Sequence, residues 1–131
     1  MARLLDTSIA VLLRDADTEA DDRVNALDDL PLLSVITQVE LEGGVVAKPP
    51  LQAKRRWAVD LILATFPVLP FEGECVTAYR RIVEATGYSR RKVVDRMIAA
   101  TALANGLTLV TLNGRDFTDI PGLKLEVWPV F

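Results

Sequence analysis

The stretch DRMIAATALANGLTLVTLNGRDF, residues 95–117, decides the fold. Residues 94–105 read as a strongly apolar helix that Gly106 ends. LTLVTL, residues 107–112, follows as the clearest strand of the chain, apolar enough to be covered on both faces. Asn113-Gly114 then makes a turn. Asp95 falls near the start of the helix and Asp116 just past the end of the strand.

Working outward, residues 2–6 (ARLLD) read as a short buried strand, after which Thr7 or Ser8 caps a helix over Ile9 to Leu13. Residues 18–29 form a second, acidic helix. LLSVI, residues 32–36, is another continuous apolar run of strand length, and Thr37 starts a helix that reaches Val46 past a weakening Gly43-Gly44. Pro49-Pro50 separates it from a helix over 51–65, with Trp57, Leu61 and Ile62 on one face; Trp57 is assigned to the core. Val68-Leu69, bracketed by Pro67 and Pro70, suits an edge strand. Residues 72–86 form a helix ended by Gly87, and Leu125 to Trp128 a last strand. Strands alternating with helices give an α/β class: a mainly parallel central sheet in three layers, within a single domain over residues 1–131.

Composition excludes more than it assigns. There is no histidine and one cysteine among 131 residues. A Ser-His-Asp triad, a Cys-His pair and a histidine- or cysteine-rich zinc site are all ruled out within this chain. Cys75 has no internal partner for a disulfide, which fits a reducing cytoplasm. No run approaches the ~20 apolar residues of a membrane span, and the N-terminus does not read as a signal peptide. The net charge of −3 gives no bulk basic field. Its distribution is uneven: residues 15–29 set seven acids against Arg23, while residues 80–96 set six bases against Glu84 and Asp95. The acidic run is read as a solvated helix face. The basic stretch, with Lys54-Arg55-Arg56 elsewhere, suits a ligand that carries phosphates.

In an open α/β sheet the site lies outside the carboxyl ends of the strands. Four acids fall there. Asp6 ends the first strand, Glu40 lies a helical turn beyond the second, and Asp95 and Asp116 flank the strand at 107–112. Singly, each has a structural explanation. Asp6 can cap a helix, Thr37 and Glu40 have capping-box spacing, Asp95 sits at an N-cap position, and Asp116 follows a turn. Together they repel: at ~5 Å and an effective dielectric of ~20, each ionised pair costs about 3 kcal/mol. A divalent ion relieves such a cluster, and oxygen donors favour Mg²⁺ or Mn²⁺.

At these residues the chain resembles the PIN-domain ribonucleases and, within them, the VapC-type toxins of type II toxin–antitoxin pairs. The similar pieces are LLDTS at 4–8, SVITQVELEGG at 34–44, DRMIAATALANGLTLVTLNGRDF at 95–117 and IPGLKLEVW at 120–128, in the family's order and over nearly the whole chain. The resemblance implies a PIN-like sheet of order 3-2-1-4-5 and a Mg²⁺- or Mn²⁺-dependent endoribonuclease. It implies that Asp6, Asp95 and Asp116 hold the metal and that Glu40 orients or deprotonates the attacking water. Ser8, Thr111 and Asn113 would steady these groups. Ser8 stands where the family's first motif usually has Asn, and Glu42 is a second acid close to Glu40. The resemblance further implies a homodimer and a small antitoxin that covers the site.

Arg90, Arg91, Lys92 and Arg96 flank Asp95 in sequence and are the candidates for contact with RNA phosphates; Arg96, directly after Asp95, has the alternative of pairing with an acid. The alternative to a nuclease toxin is a degenerate PIN fold that only binds RNA or protein, or an orphan PIN nuclease without an antitoxin. An aspartyl phosphatase would need Asp-x-Asp at the first strand end, where this chain has Asp6-Thr7-Ser8. A dinucleotide-binding domain would need a glycine-rich turn, and LLDTSIA has none.

Overall fold

A computed structural model of the chain describes residues 2–129. In chain order it contains β1 (Arg3–Leu5), α1 (Thr7–Arg14), α2 (Thr18–Asn25), β2 (Leu33–Ser34), α3 (Val35–Ala47), α4 (Gln52–Thr65), β3 (Val68–Leu69), α5 (Gly73–Thr86), α6 (Val93–Ala104), β4 (Thr108–Thr111) and β5 (Lys124–Val127). Short 3₁₀ turns occupy Pro49–Leu51, Arg90–Lys92 and Gly114–Asp116.

All strand pairings are parallel. The expected single five-stranded sheet is instead two: β1-β4-β5 and β2-β3. They meet at an isolated parallel bridge between Leu4 and Leu32, where the Leu5 amide donates to the Leu32 carbonyl and the Leu32 amide to that of Arg3. Counted through that bridge the strands lie in the order 3-2-1-4-5, but the ladder is not continuous. The reason is local. The hydroxyl of Ser34 accepts the Ile36 amide at 3.0 Å and caps α3, so the strand expected to run to Ile36 stops after two residues.

Successive residues of the central strands serve opposite faces. Leu5 and Val110 pack with Ile9, Leu41, Val59 and Ile62 from α1, α3 and α4. Leu4 and Leu109 pack with Ile82, Ile98, Ala99 and Ala102 from α5 and α6. These two cores, one on each side of the sheet, give the three layers. Alanines at 99, 100 and 102 let α6 lie close to the strands.

Several local expectations change. The first helix is capped by Asp6, whose carboxylate accepts the Thr7 amide; Thr7 and Ser8 already lie inside the helix. α3 starts at Val35, so Thr37 is interior and buried rather than the first member of a capping box. α6 starts at Val93 with Lys92 as its cap residue, which places Asp95 within the first turn rather than at the cap. Trp57 is 69% exposed, because α4 turns Val59 and Ile62 to the sheet and leaves Trp57 and Leu61 on another face. The buried tryptophan is Trp128. Arg23 lies over its ring at 4.9 Å, and its indole nitrogen donates to Glu126 at 2.7 Å.

Candidate active site

The register of β1 against β4 builds the site. Leu5 pairs with Val110, and the Asp6 amide still donates to the Val110 carbonyl at 2.8 Å. Asp6 therefore leaves the sheet beside Thr111, at the carboxyl ends of both strands. Asp6 is only 3% exposed, so its carboxylate must be satisfied by protein donors. Oδ1 accepts the Thr7 amide at 2.8 Å. Oδ2 accepts the Thr111 hydroxyl at 2.7 Å and the Ser8 hydroxyl at 2.9 Å. Each hydroxyl is itself oriented by a backbone donor: the Asn113 amide to Thr111 and the Leu112 amide to Ser8. Ser8 thus fills the place of the family's usual Asn with a short hydroxyl that still reaches the acid.

Glu40 is brought in from α3. Its carboxylate accepts the Thr7 hydroxyl at 2.6 Å, and the same oxygen of Thr7 lies 2.9 Å from the hydroxyl of Thr37. Sequence reading overlooked Thr7 and Thr37 as site residues. Both stand in the quoted motifs, but Thr7 was read as a cap and Thr37 as a helix start. Only the packing of α1 on α3 makes them neighbours. Glu42, by contrast, is held by Arg56 through two hydrogen bonds of 2.5 and 2.8 Å, and that guanidinium keeps its carboxyl below the usual range. Glu42 is thus paired with a cation, whereas Glu40 makes no ion pair with a described residue.

Asp95 reports that the four acids share one field. Burial first, and then the charges of Asp6, Asp116 and Glu40, together push its carboxyl up to about 6 against a smaller opposing effect of Lys92. Asp116 is exposed, carried by the 3₁₀ turn after β4; its amide donates to the Asn113 carbonyl at 3.1 Å. Asn113 is exposed and shapes this turn through its backbone. Among the described residues no three acidic side chains stand as a closed metal-ligand set. The arrangement is an open cluster of oxygen donors, which suits an ion that keeps part of its water shell.

Of the proposed RNA contacts, Arg90, Arg91 and Lys92 are exposed around the 3₁₀ turn that leads into α6. Arg96 is not among them: it is 2% exposed, donates to the Gly87 carbonyl at 2.7 Å and lies 3.7 Å from Asp119. One helix position from Asp95 turns it by about 100° away from the acids and into the protein. Two larger concavities, one of about 510 Å³ beside α5 and α6 and one of about 530 Å³ along α1, α2 and α4, are lined by none of the four acids. No helix among the described residues is long and apolar enough to cross a membrane.

The chain is 29% identical to ribonuclease VapC2 of Rickettsia felis, with 98% of each chain covered. It is 27% identical to the tRNA(fMet)-specific endonuclease VapC of Shigella flexneri, over 95% of this chain and 96% of that one. A 39% identity to ribonuclease VapC1 of Rickettsia felis spans about half of either chain. Among solved structures, the VapBC2 complex of Rickettsia felis bound to a promoter DNA fragment contains a chain that superposes with a TM-score of 0.85 at 26% identity, covering 98% of this chain and 99% of that one. The family model of the PIN domain matches residues 3–123, nearly the full length and a span that contains all four acids, and the chain therefore belongs to the PIN domain family.

Proposed function

We propose that this protein is an endoribonuclease, the toxin of a VapBC-type pair, which hydrolyses RNA phosphodiester bonds at the Asp6–Glu40–Asp95–Asp116 edge. One observation carries the reading. Asp95 is half-buried within the field of three acids from separate parts of the chain, Asp6, Asp116 and Glu40, and burial together with their charges raises its carboxyl to about 6. A fold does not assemble such repulsion at a strand end without a cationic ligand to relieve it.

The donor set fits Mg²⁺ or Mn²⁺. Every candidate ligand is a hard oxygen, and Asp6, Asp95 and Asp116 are the residues that would hold the ion. When bound, such an ion supplies activation of water and stabilisation of charge on phosphoryl oxygens. The chain's own residues do the rest. Ser8, Thr7 and Thr111 fix the Asp6 carboxylate from three sides. Thr7 also fixes Glu40, whose exposed carboxylate is free on its other oxygen to orient a water or take its proton. Arg90, Arg91 and Lys92 grip the phosphates on either side of the scissile bond, while Lys92 tempers the negative field at Asp95.

The partner reading is a small antitoxin. Its support is the likeness to VapBC complexes and the apolar groove that Leu13, Trp57, Leu61 and Phe66 line along α1, α2 and α4, a surface that a partner's apolar segment would cover. A homodimer is the expected assembly of the toxin itself, and light scattering of the purified chain checks it.

The test is cleavage of total RNA by purified wild type beside Asp6→Asn, with Mg²⁺, with Mn²⁺ and with EDTA. Cleavage that needs both the ion and Asp6 is the expected result. Full cleavage by Asp6→Asn overturns the mechanism. RNA binding without any cleavage by the wild type moves the protein to a binding module.

A further inference from the structure

The connection from α5 to α6 is built around a buried charge. Gly87 ends α5 with φ 84, a conformation that suits glycine. Its carbonyl accepts Nη1 of Arg96 at 2.7 Å, and Nη2 stands 3.7 Å from the Asp119 carboxylate. Nε of Arg96 is buried without a hydrogen-bond partner. Burying a guanidinium this incompletely satisfied costs stability. What it secures is position: one side chain ties the turn at Gly87 to the first turn of α6, beside Asp95, and to the loop that follows Asp116.

The residues beyond this anchor face solvent. Tyr88 is 69% exposed. Arg90, Arg91 and Lys92 follow it on the 3₁₀ turn, all exposed, and no ion pair with a described residue holds them. Lys92 stands within electrostatic reach of Asp95. Tyr88 thus follows the anchored Gly87 directly and precedes, by two to four residues, the three exposed cations of the turn that leads into α6 and Asp95. A cationic track with an adjoining aromatic face is the arrangement that holds an unpaired nucleotide, the phosphates on the cations and the base on the ring.

We infer that Tyr88 is the residue on which one unpaired base of the RNA stacks, with Arg90, Arg91 and Lys92 on the flanking phosphates and Arg96 fixing the platform at a set distance from Asp95. This rests on the nuclease reading above. Tyr88 is a positioning and selecting residue: it presents a strand whose bases are free, because bases already stacked in a duplex offer no face to the ring.

The test uses the Asp6→Asn protein, in Mg²⁺, with a short labelled RNA read by fluorescence anisotropy, single-stranded and annealed to its complement. Adding Tyr88→Ala is expected to weaken single-strand binding about 5- to 50-fold and to leave duplex binding within about twofold. Tyr88→Phe keeps the ring and binds like its parent. Arg90→Ala with Arg91→Ala weakens both RNAs and flattens the salt dependence. Unchanged single-strand binding by Tyr88→Ala overturns the inference, as does an equal loss on both RNAs or an equal loss in Tyr88→Phe. These results leave the nuclease reading standing if the wild type cleaves. A parent that binds neither RNA, with a wild type that does not cleave, overturns both.

Discussion

Asp95→Asn should make the metal-free protein more stable, and the gain should depend on pH in a specified direction. The Asp95 carboxyl titrates at about 6 in the folded chain and near 3.8 when unperturbed. The folded state therefore binds this proton more tightly than the unfolded state does. Below the unfolded value both states are protonated and Asp95 costs nothing. As pH rises from 3.8 to about 6 the folded protein loses stability, and above that the full penalty is present. The difference corresponds to about 3 kcal/mol at full value. Asp95 is only half-buried and water screens its neighbours, which reduces the expected gain on substitution to about 1–2 kcal/mol. Asparagine keeps the volume and removes the charge. Urea denaturation of both proteins in EDTA, from acid to neutral pH, measures it. The two curves should coincide near pH 4 and separate as the pH rises, with the variant the more stable. A variant no more stable than wild type at neutral pH, or a gap that does not close on acidification, refutes the claim that burial and the neighbouring acids Asp6, Asp116 and Glu40 destabilise the ionised Asp95. The same substitution should abolish cleavage, so that stability and activity move in opposite directions.

Thr7→Val keeps the shape of the side chain and removes the hydroxyl that holds Glu40. Cleavage should fall by about 10- to 100-fold, mainly in kcat, with the melting temperature little changed; an unchanged kcat would show that Glu40 needs no such anchor. A Cβ added at Gly114 would sit 2.7 Å from Cγ2 of Val127 on β5. Gly114→Ala should therefore cost about 1–3 kcal/mol and displace the turn that carries Asp116, and adding Val127→Ala should restore part of both stability and cleavage. Trp57→Ala should change stability by no more than about 0.5 kcal/mol, since the ring is largely in water. A loss of core size, several times larger, would show that the ring is buried in solution.

The family and the chemistry were legible in the linear sequence because both are written in short segments. An apolar helix, a glycine stop, a buried strand and an acid just beyond it need only local periodicity and turn chemistry, and they carry Asp95 and Asp116 to one edge whatever packs around them. Asp6 and Glu40 stand in short quoted segments as well, and the structure brings both within the electrostatic field of Asp95. The absence of histidine removed the competing chemistries before any fold was considered.

What the sequence left open depends on which side of a helix meets the sheet. Arg96 follows Asp95 directly and was read with Arg90, Arg91 and Lys92 as a phosphate contact; only the docking of α6 turns it inward to Gly87 and Asp119. Trp57 was assigned to the core by its hydrophobicity, yet α4 offers two apolar faces and the sheet takes the one with Val59 and Ile62. The strand at LLSVI was shortened by a hydroxyl cap, because Ser34 satisfies the helix amide in place of a ladder partner. The sequence favours Glu40 over Glu42 without separating their surroundings; α4 supplies Arg56 to Glu42 and α1 supplies Thr7 to Glu40. Residue type and spacing determine what chemistry a chain can perform. The long-range contacts decide which copy of a residue type performs it, because desolvation and hydrogen-bond partners come from elements remote in sequence.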